Sequence, residues 1–159
     1  MEHGRQMTHA ITAGGPDDLA AILALLPRLA AFDLPPGREA RDLWAGDADL
    51  VRRWARGEQD DCFALVAGEG PALDGVAVVR LQPEPLSHAP GAHLEVLAVA
   101  AAAEGRGLGA ALLEAAQAEA AARGARSMTL HVFAVNARAR RLYERAGFTG
   151  EIIRYIKDI

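Results

Sequence analysis

Leu94-Glu-Val-Leu-Ala-Val99, then Glu104-Gly-Arg-Gly-Leu-Gly109 and an Ala/Leu-rich run to Arg123, is the stretch that decides the fold. An apolar strand runs into a glycine-rich turn, and the turn opens into a helix. The first turn of a helix leaves backbone N–H donors unpaired, and the aligned peptide dipoles add partial positive charge there. Glycines without a Cβ let those donors approach a ligand and let the chain take positive φ. The pattern therefore predicts a site for a phosphate or pyrophosphate group.

Spacing separates three phosphate-binding readings. A P-loop requires a Gly-Lys-Ser/Thr ending, and the chain has none. Gly105-Arg-Gly107-Leu-Gly109-Ala110 satisfies a dinucleotide fingerprint formally. That reading also needs a tight strand-to-helix turn and an acidic residue closing the next strand. Here Ala100–Glu104 intervenes, and the next strand, Thr129–Phe133, ends without a carboxylate. The third reading is a loop for the pyrophosphate of coenzyme A.

Downstream residues favour the third. Leu130-His-Val-Phe-Ala-Val135 reads as a strand, and Asn136-Ala-Arg-Ala-Arg-Arg-Leu-Tyr-Glu-Arg-Ala-Gly-Phe148 as a capped helix with its exit. Asn136 suits the N-cap, and Gly147 the left-handed position after the last turn. Together, Leu94–Phe148 resembles the GNAT family of acetyl-CoA-dependent N-acetyltransferases over about a third of the chain. The glycine loop and the Leu-Tyr-Glu-x-x-Gly-Phe segment stand in the family's order and separation. Ile11–Ile22 is similar to the family's first strand and helix, less specifically. One position departs: Glu104 stands where the family usually has Gln or Arg. An exposed carboxylate beside a pyrophosphate costs up to about 1 kcal/mol. Arg106 could offset it, and the backbone donors remain; equally, Glu104 could be a solvated carboxylate pointing away.

The resemblance implies an α/β layered fold. Its central sheet is mixed, mostly antiparallel and flanked by helices on both faces, with a V-shaped cleft between the two central strands. Local patterns supply the elements: strand His9–Thr12, a helix with Pro16 at its first position running to about Leu26, and helical periodicity over Arg38–Arg56 that Gly46 is expected to split. Cys62–Ala67 and Gly75–Leu81 read as an antiparallel hairpin, and Gln82–Gly91 as a proline-bearing loop. Strand His93–Val99, helix Leu108–Arg123, strand Ser127–Phe133, the helix from Asn136 and an extended Phe148–Ile159 complete the order. In the long helix Leu108, Leu112, Ala115, Ala116 and Ala120 share a face.

Composition bounds the rest. A chain of 159 residues, 51% hydrophobic and 24% charged, suits one soluble domain, expected over residues 7–159 behind a disordered tail at 1–6. The net charge of −4 and the absence of a basic block argue against nucleic acid as a partner. No apolar run reaches membrane-spanning length, and the N-terminus lacks a signal-peptide core, so no membrane partner and a cytoplasmic location are expected. The single cysteine, Cys62, excludes an internal disulfide and reads as inert packing. Five histidines without ligand spacing and one cysteine give no metal site. His93 and His131 read as strand residues of the core or cleft. Glu58, Asp60 and Asp61 read as a solvated turn that could attract a cation.

Acyl transfer to an amine needs a neutral nucleophile, an aimed thioester, a stabilised oxyanion and a protonated leaving thiolate. An amine of pKa about 8 to about 10 is mostly protonated at neutral pH, so a general base helps. Strand alternation places Glu95, Leu97 and Val99 on one side, and Glu95 in so apolar a strand is the candidate base. The same residue could equally serve structure, bonded to a buried donor. The resemblance assigns Tyr143 as the acid that protonates the thiolate, consistent with a phenol pKa of about 10. The bland reading of Tyr143 is helix–sheet packing with its hydroxyl on a carbonyl. Leu97, Ala98 and Val99 would pair with the pantetheine amides, one N–H near the thioester oxygen. Glu104, Gly105, Arg106, Gly107, Leu108, Gly109 and Ala110 form the loop for the pyrophosphate. Asn136 resembles the family residue that bonds the pantetheine arm, although N-capping explains it too, and Arg138, Arg140 and Arg141 are candidates for the adenosine 3′-phosphate.

The expected activity is transfer of an acetyl group from acetyl-CoA, as cosubstrate and without a metal, to a primary amine by direct attack. The acceptor is expected to be a small molecule, recognised by Leu26–Arg56 (with Phe32, Asp33, Trp44 and Trp54) and the tail Arg154–Ile159. A peptide or protein amine, or a non-catalytic acyl-CoA-binding regulatory module, is the alternative. A homodimer is compatible with the resemblance and undecided by the sequence.

Overall fold

A computed structural model describes residues 9–69 and 71–159; the expected tail at 1–6 lies outside them. Five strands form one sheet in the order β1-β2-β3-β4-β5: β1 Ile11–Ala13, β2 Cys62–Ala67, β3 Gly75–Pro83, β4 Pro90–Val99 and β5 Met128–Leu130. The first four are antiparallel neighbours, and β5 runs parallel to β4. Helices α1 Leu19–Leu25 and α2 Ala45–Ala55 cover one face. The other face carries α3 Leu108–Ala122 and, through Tyr143, α4 Ala137–Arg145.

Two apolar layers result. On the first face Ile22, Leu26 and Val51 close over Val76, Val78, Val96 and Ala98. On the second, Leu108, Leu112, Leu113, Ala116 and Ala120 close over Phe63, Ala77, Val79 and Leu94. The buried stripe of α3 takes Leu113, while Ala115 stays at its margin. Alternation on a strand sends successive residues to opposite layers, and β3 obeys it from Val76 to Val79. Gly75, at the start of β3, lets α3 approach closely: a Cβ there would stand 2.7 Å from Leu112 Cδ1 and 3.1 Å from Leu108 Cδ2.

In β4 the alternation breaks. Val78 pairs with Val96 and the next β3 residue, Val79, pairs with Leu94, leaving Glu95 as the extra residue of a β-bulge. Leu94 therefore belongs to the α3 layer while Val96 and Ala98 belong to the α1/α2 layer. Leu97 and Val99 pack toward the α3 layer, so the expected alignment of Glu95 with them fails; the bulge turns Glu95 away from both. Beyond the bulge β4 and β5 also part. Their pairing covers only Ala92–Leu94 against Met128–Leu130, which opens a V between β4 and residues 131–135.

Other boundaries move for physical reasons. The expected strand to Phe133 stops at Leu130, because residues 131–133 have lost β4 as a partner. The break in the second helical region falls at Trp44, between a 3-10 turn Ala40–Leu43 and α2, and Gly46 lies inside α2. The first helix divides into 3-10 turn Pro16–Asp18, α1, and 3-10 segment Leu26–Ala30 containing Pro27. Phe148–Ile159 forms no strand. Its apolar residues occupy both alternations, Ile152 and Ile156 against Ile153, Tyr155 and Ile159, so no single face is defined for burial.

Candidate active site

The glycine loop is built for backbone donation. Gly105 and Gly107 have φ of 79° and 75°, and a Cβ at either would meet nothing within 4 Å. Backbone conformation, not packing, selects glycine at both positions. Gly107 is the N-cap of α3 and no side chain caps that helix. Among the described residues the first-turn amides of Leu108, Gly109 and Ala110 thus have no acceptor, which leaves them to solvent or a ligand. At Gly109 a Cβ would make ordinary contact with Leu142 at 3.6 Å and Val99 at 3.8 Å, placing this residue where α3, α4 and the end of β4 converge.

The charged groups around the loop are arranged differently from the simplest expectation. Arg106 does not offset Glu104; its guanidinium folds back to donate to the Ala102 carbonyl at 2.6 Å, and its own carbonyl accepts from His9 Nε2. Glu104 instead receives Arg28, from the 3-10 segment, and Arg138, from α4, the latter at 3.3 Å. Arg28 Nε also donates to the carbonyl of Val99 at 3.0 Å. Arg140 donates to the Ala134 carbonyl at 3.1 Å, which holds the turn before α4.

At the apex, Tyr143 lies on α4 against Phe148, ring centroids 6.0 Å apart in an edge-on arrangement. Burial raises its phenol above the usual range, so the hydroxyl stays protonated at neutral pH. Among the described residues that hydroxyl has no hydrogen-bond partner, while the ring packs against the second core layer. Asn136 has the structural role expected of an N-cap: Oδ1 accepts from Ala139 N at 3.2 Å.

On the α2 side of β4 a polar patch interrupts the apolar layer. Burial raises the Glu95 carboxyl, opposed by Arg80 and His131. Asp47, in the first turn of α2, is pushed up to about 7 by burial and by the charge of Glu95. A carboxylate at a helix N-terminus is normally stabilised; here desolvation and a like charge prevail. Neither Asp47 nor Glu95 has a hydrogen bond or ion pair among the described residues, whereas Asp61 is held by Arg80 at 3.1 Å. Sequence reasoning missed Asp47, since its relation to Glu95 depends on how α2 lies on the sheet.

Close by, His93 Nδ1 meets Thr129 Oγ1 at 2.7 Å and its ring lies 4.8 Å from that of His131. Burial, then His131, depresses His93 to about 4, so it is neutral. Burial pushes the Cys62 thiol up to about 12, which makes it a poor nucleophile. Trp44 and Trp54 pack on the first core layer, while Phe32 reaches across to Phe133, ring centroids 5.8 Å apart. Glu58 pairs with Arg56 in the exposed turn. Among the described residues no group of His, Cys, Asp or Glu could hold a metal ion, and no helix is long and apolar enough to cross a membrane. A shallow depression of about 420 Å³ between β1, β2 and α3 lies apart from these groups.

Comparison with known proteins bears on the same architecture. No curated protein matches the chain. Solved structures match in fold. A ribosomal-protein-alanine N-acetyltransferase from Brucella melitensis biovar Abortus 2308 is 21% identical, with TM-score 0.68 over 96% of this chain and 100% of that one. A transcriptional regulator from Bacillus halodurans C-125 is 22% identical, with TM-score 0.72 over 96% and 100%. An aminoglycoside acetyltransferase from an uncultured soil metagenomic sample is 16% identical, with TM-score 0.66 over 94% and 95%. The model of the GNAT acetyltransferase family matches residues 26–148, which hold the bulged strand, the glycine loop and the Tyr143 helix. The chain belongs to the GNAT acetyltransferase family.

Proposed function

We propose that the protein is an N-acetyltransferase that moves an acetyl group from acetyl-CoA to the primary amine of a small molecule by direct attack on the thioester. The observation that carries this reading is the parting of β4 from β5 at Glu95, with an uncapped helix and two positive-φ glycines at the mouth of the opening. The residues fit acetyl-CoA. The amides of Leu108, Gly109 and Ala110 suit a pyrophosphate. The β4 edge at Leu97, Ala98 and Val99 suits the pantetheine arm as an added strand, and Tyr143 suits the sulfur.

In the step itself, Glu95 accepts the proton of the amine, directly or through water, as nitrogen bonds to the acetyl carbon. A β4 amide holds the developing oxyanion, and the Tyr143 hydroxyl donates a proton as the carbon–sulfur bond breaks. The amine is thus acylated and the free thiol leaves. The unpartnered carboxylates of Asp47 and Glu95 favour a cationic acceptor, because an ammonium between them relieves their repulsion.

A second reading, a non-catalytic acyl-CoA-binding module, rests on Glu104, which stands in place of the loop's usual Gln or Arg and engages Arg28 and Arg138. Thermal shift with acetyl-CoA, coenzyme A and NAD, followed by thiol release over an amine panel, separates the cases. Stabilisation by both coenzyme-A forms with amine-dependent thiol release is expected. Stabilisation without release from small or peptide amines favours the module, and no stabilisation overturns both readings.

A further inference from the structure

The mouth of the opening holds a charge arrangement that the family pattern does not contain. One oxygen of Glu104, Oε1, receives guanidinium groups from two segments remote in sequence, Arg28 and Arg138. The Arg28–Glu104 contact is more sheltered than the pairs on the helix surfaces: its side chains are 29% and 33% exposed, against 49% and 69% for Arg52–Asp49. Arg28 is held at a second point by the Val99 carbonyl, so its guanidinium bridges the end of β4 and the start of the loop. Arg106, the nearest arginine in sequence, is turned away onto Ala102.

Charge arithmetic then favours an incoming anion. Among the described residues, two guanidiniums against one carboxylate leave one positive charge unbalanced beside the uncapped end of α3, where the helix dipole adds to it. A carboxylate offers two oxygens, of which one takes both contacts here. A diphosphate offers more acceptors and two charges, and planar guanidiniums suit it geometrically.

Resting on the acyl-CoA reading above, we propose that Arg28 and Arg138 are phosphate ligands and that Glu104 is their resident stand-in. Its carboxylate keeps both guanidiniums at the mouth until the phosphates of the coenzyme displace it. Glu104 is then neither a defect in the loop nor a solvated bystander. It tunes coenzyme affinity downward by competing for the two arginines, and Arg28, once transferred, leaves the Val99 carbonyl free for the pantetheine arm.

The test is calorimetric titration of the full chain with coenzyme A, dephospho-coenzyme A and pantetheine, using E104Q, R28Q and R138Q. Loss of one charge-assisted contact corresponds to about tenfold in affinity. R28Q is expected to weaken coenzyme A about tenfold and R138Q, which is 71% exposed, by less. E104Q is expected to tighten it several-fold; R138Q is expected to leave pantetheine unchanged, and R28Q, which vacates the Val99 carbonyl, to bind pantetheine at least as tightly as the parent. If dephospho-coenzyme A abolishes the differences, the guanidiniums read the 3′-phosphate; if the differences persist, they read the pyrophosphate. Weaker or unchanged coenzyme binding by E104Q overturns the stand-in role. The R138Q variant, altered on an exposed helix position, keeps the phosphate arm decidable if R28Q fails to fold, since equal affinity of R138Q and the parent for coenzyme A removes Arg138 as a ligand.

Inorganic pyrophosphate separates this proposal from the acyl-CoA reading. If the parent binds no coenzyme A, that reading fails. Greater thermal stabilisation of E104Q than of the parent by pyrophosphate then still supports the stand-in, and equal stabilisation or none overturns it.

Discussion

Replacing Asp47 with Asn should make the protein more stable at alkaline pH and leave it unchanged in acid. Asp47 titrates at about 7 in the folded chain, against an ordinary value of 3.8, because of burial and the neighbouring charge of Glu95. The unfolded chain ionises it freely near 3.8, so between that value and about 7 folding takes up a proton. Stability relative to an uncharged side chain is retained below the unfolded pKa and lost as pH rises through the folded one. At 1.36 kcal/mol per pKa unit the full cost above neutrality is about 4 kcal/mol. Because the carboxyl is in part solvent-exposed, screening reduces this to about 2 kcal/mol. For a chain of this size that corresponds to about 4–8 °C in Tm. The assay is thermal unfolding of parent and D47N at about pH 8 and about pH 4, with no ligand present. A D47N variant that is no more stable than the parent at the higher pH would refute the reasoning, and would mean that the carboxylate is already balanced by a cation.

Tyr143→Phe should lower kcat by about a hundredfold or more while coenzyme affinity, measured by titration, stays constant; loss of both would assign Tyr143 to packing. Glu95→Gln should remove the ascending limb of the pH–rate profile of kcat/KM, and should bring the Asp47 carboxyl below about 7, since the Glu95 charge contributes to its elevation. NMR titration of the Asp47 side chain reads the second effect. Gly75→Ala should cost about 1–3 kcal/mol in denaturant unfolding through overpacking against Leu112 and Leu108, without altering KM for the coenzyme. Gly107→Ala should cost about 1–2 kcal/mol through its left-handed φ and should also raise that KM, because the adjoining amides move. Equal effects of the two glycine substitutions on KM would contradict the separation of packing from ligand contact.

What could be read from the chain and what could not divide along physical lines. The glycine turn, the α3 helix, the β2–β3 hairpin and the Asn136 cap each rest on residues adjacent in sequence, and each is found where local chemistry places it. The bulge at Glu95 was invisible because it is defined by the partner strand: only the pairing of Val78 with Val96 and Val79 with Leu94 reveals an extra residue. That one hidden feature accounts for two misplacements, the assignment of Glu95 to the side of Leu97 and Val99, and the extension of β5 past Leu130. The break at Trp44 rather than Gly46 is similar, since Trp44 packs against the core and fixes where the helix can begin. The partners of Glu104 come from positions 28 and 138, and no local pattern could have paired them.

The bulge also separates what the strand must keep from what it is free to change. Leu94 and Val96 already face opposite layers and already pair with consecutive residues of β3. Deleting Glu95 would therefore leave an ordinary alternating strand with every core contact intact, and would close only the opening. The residue at 95 has no opposite number on β3 whose size or charge it must match. It can be exchanged for another side chain without re-registering the sheet. A single inserted residue thus gives this fold a position whose side chain can vary at little risk to folding, while the strand pairing on either side of it stays fixed.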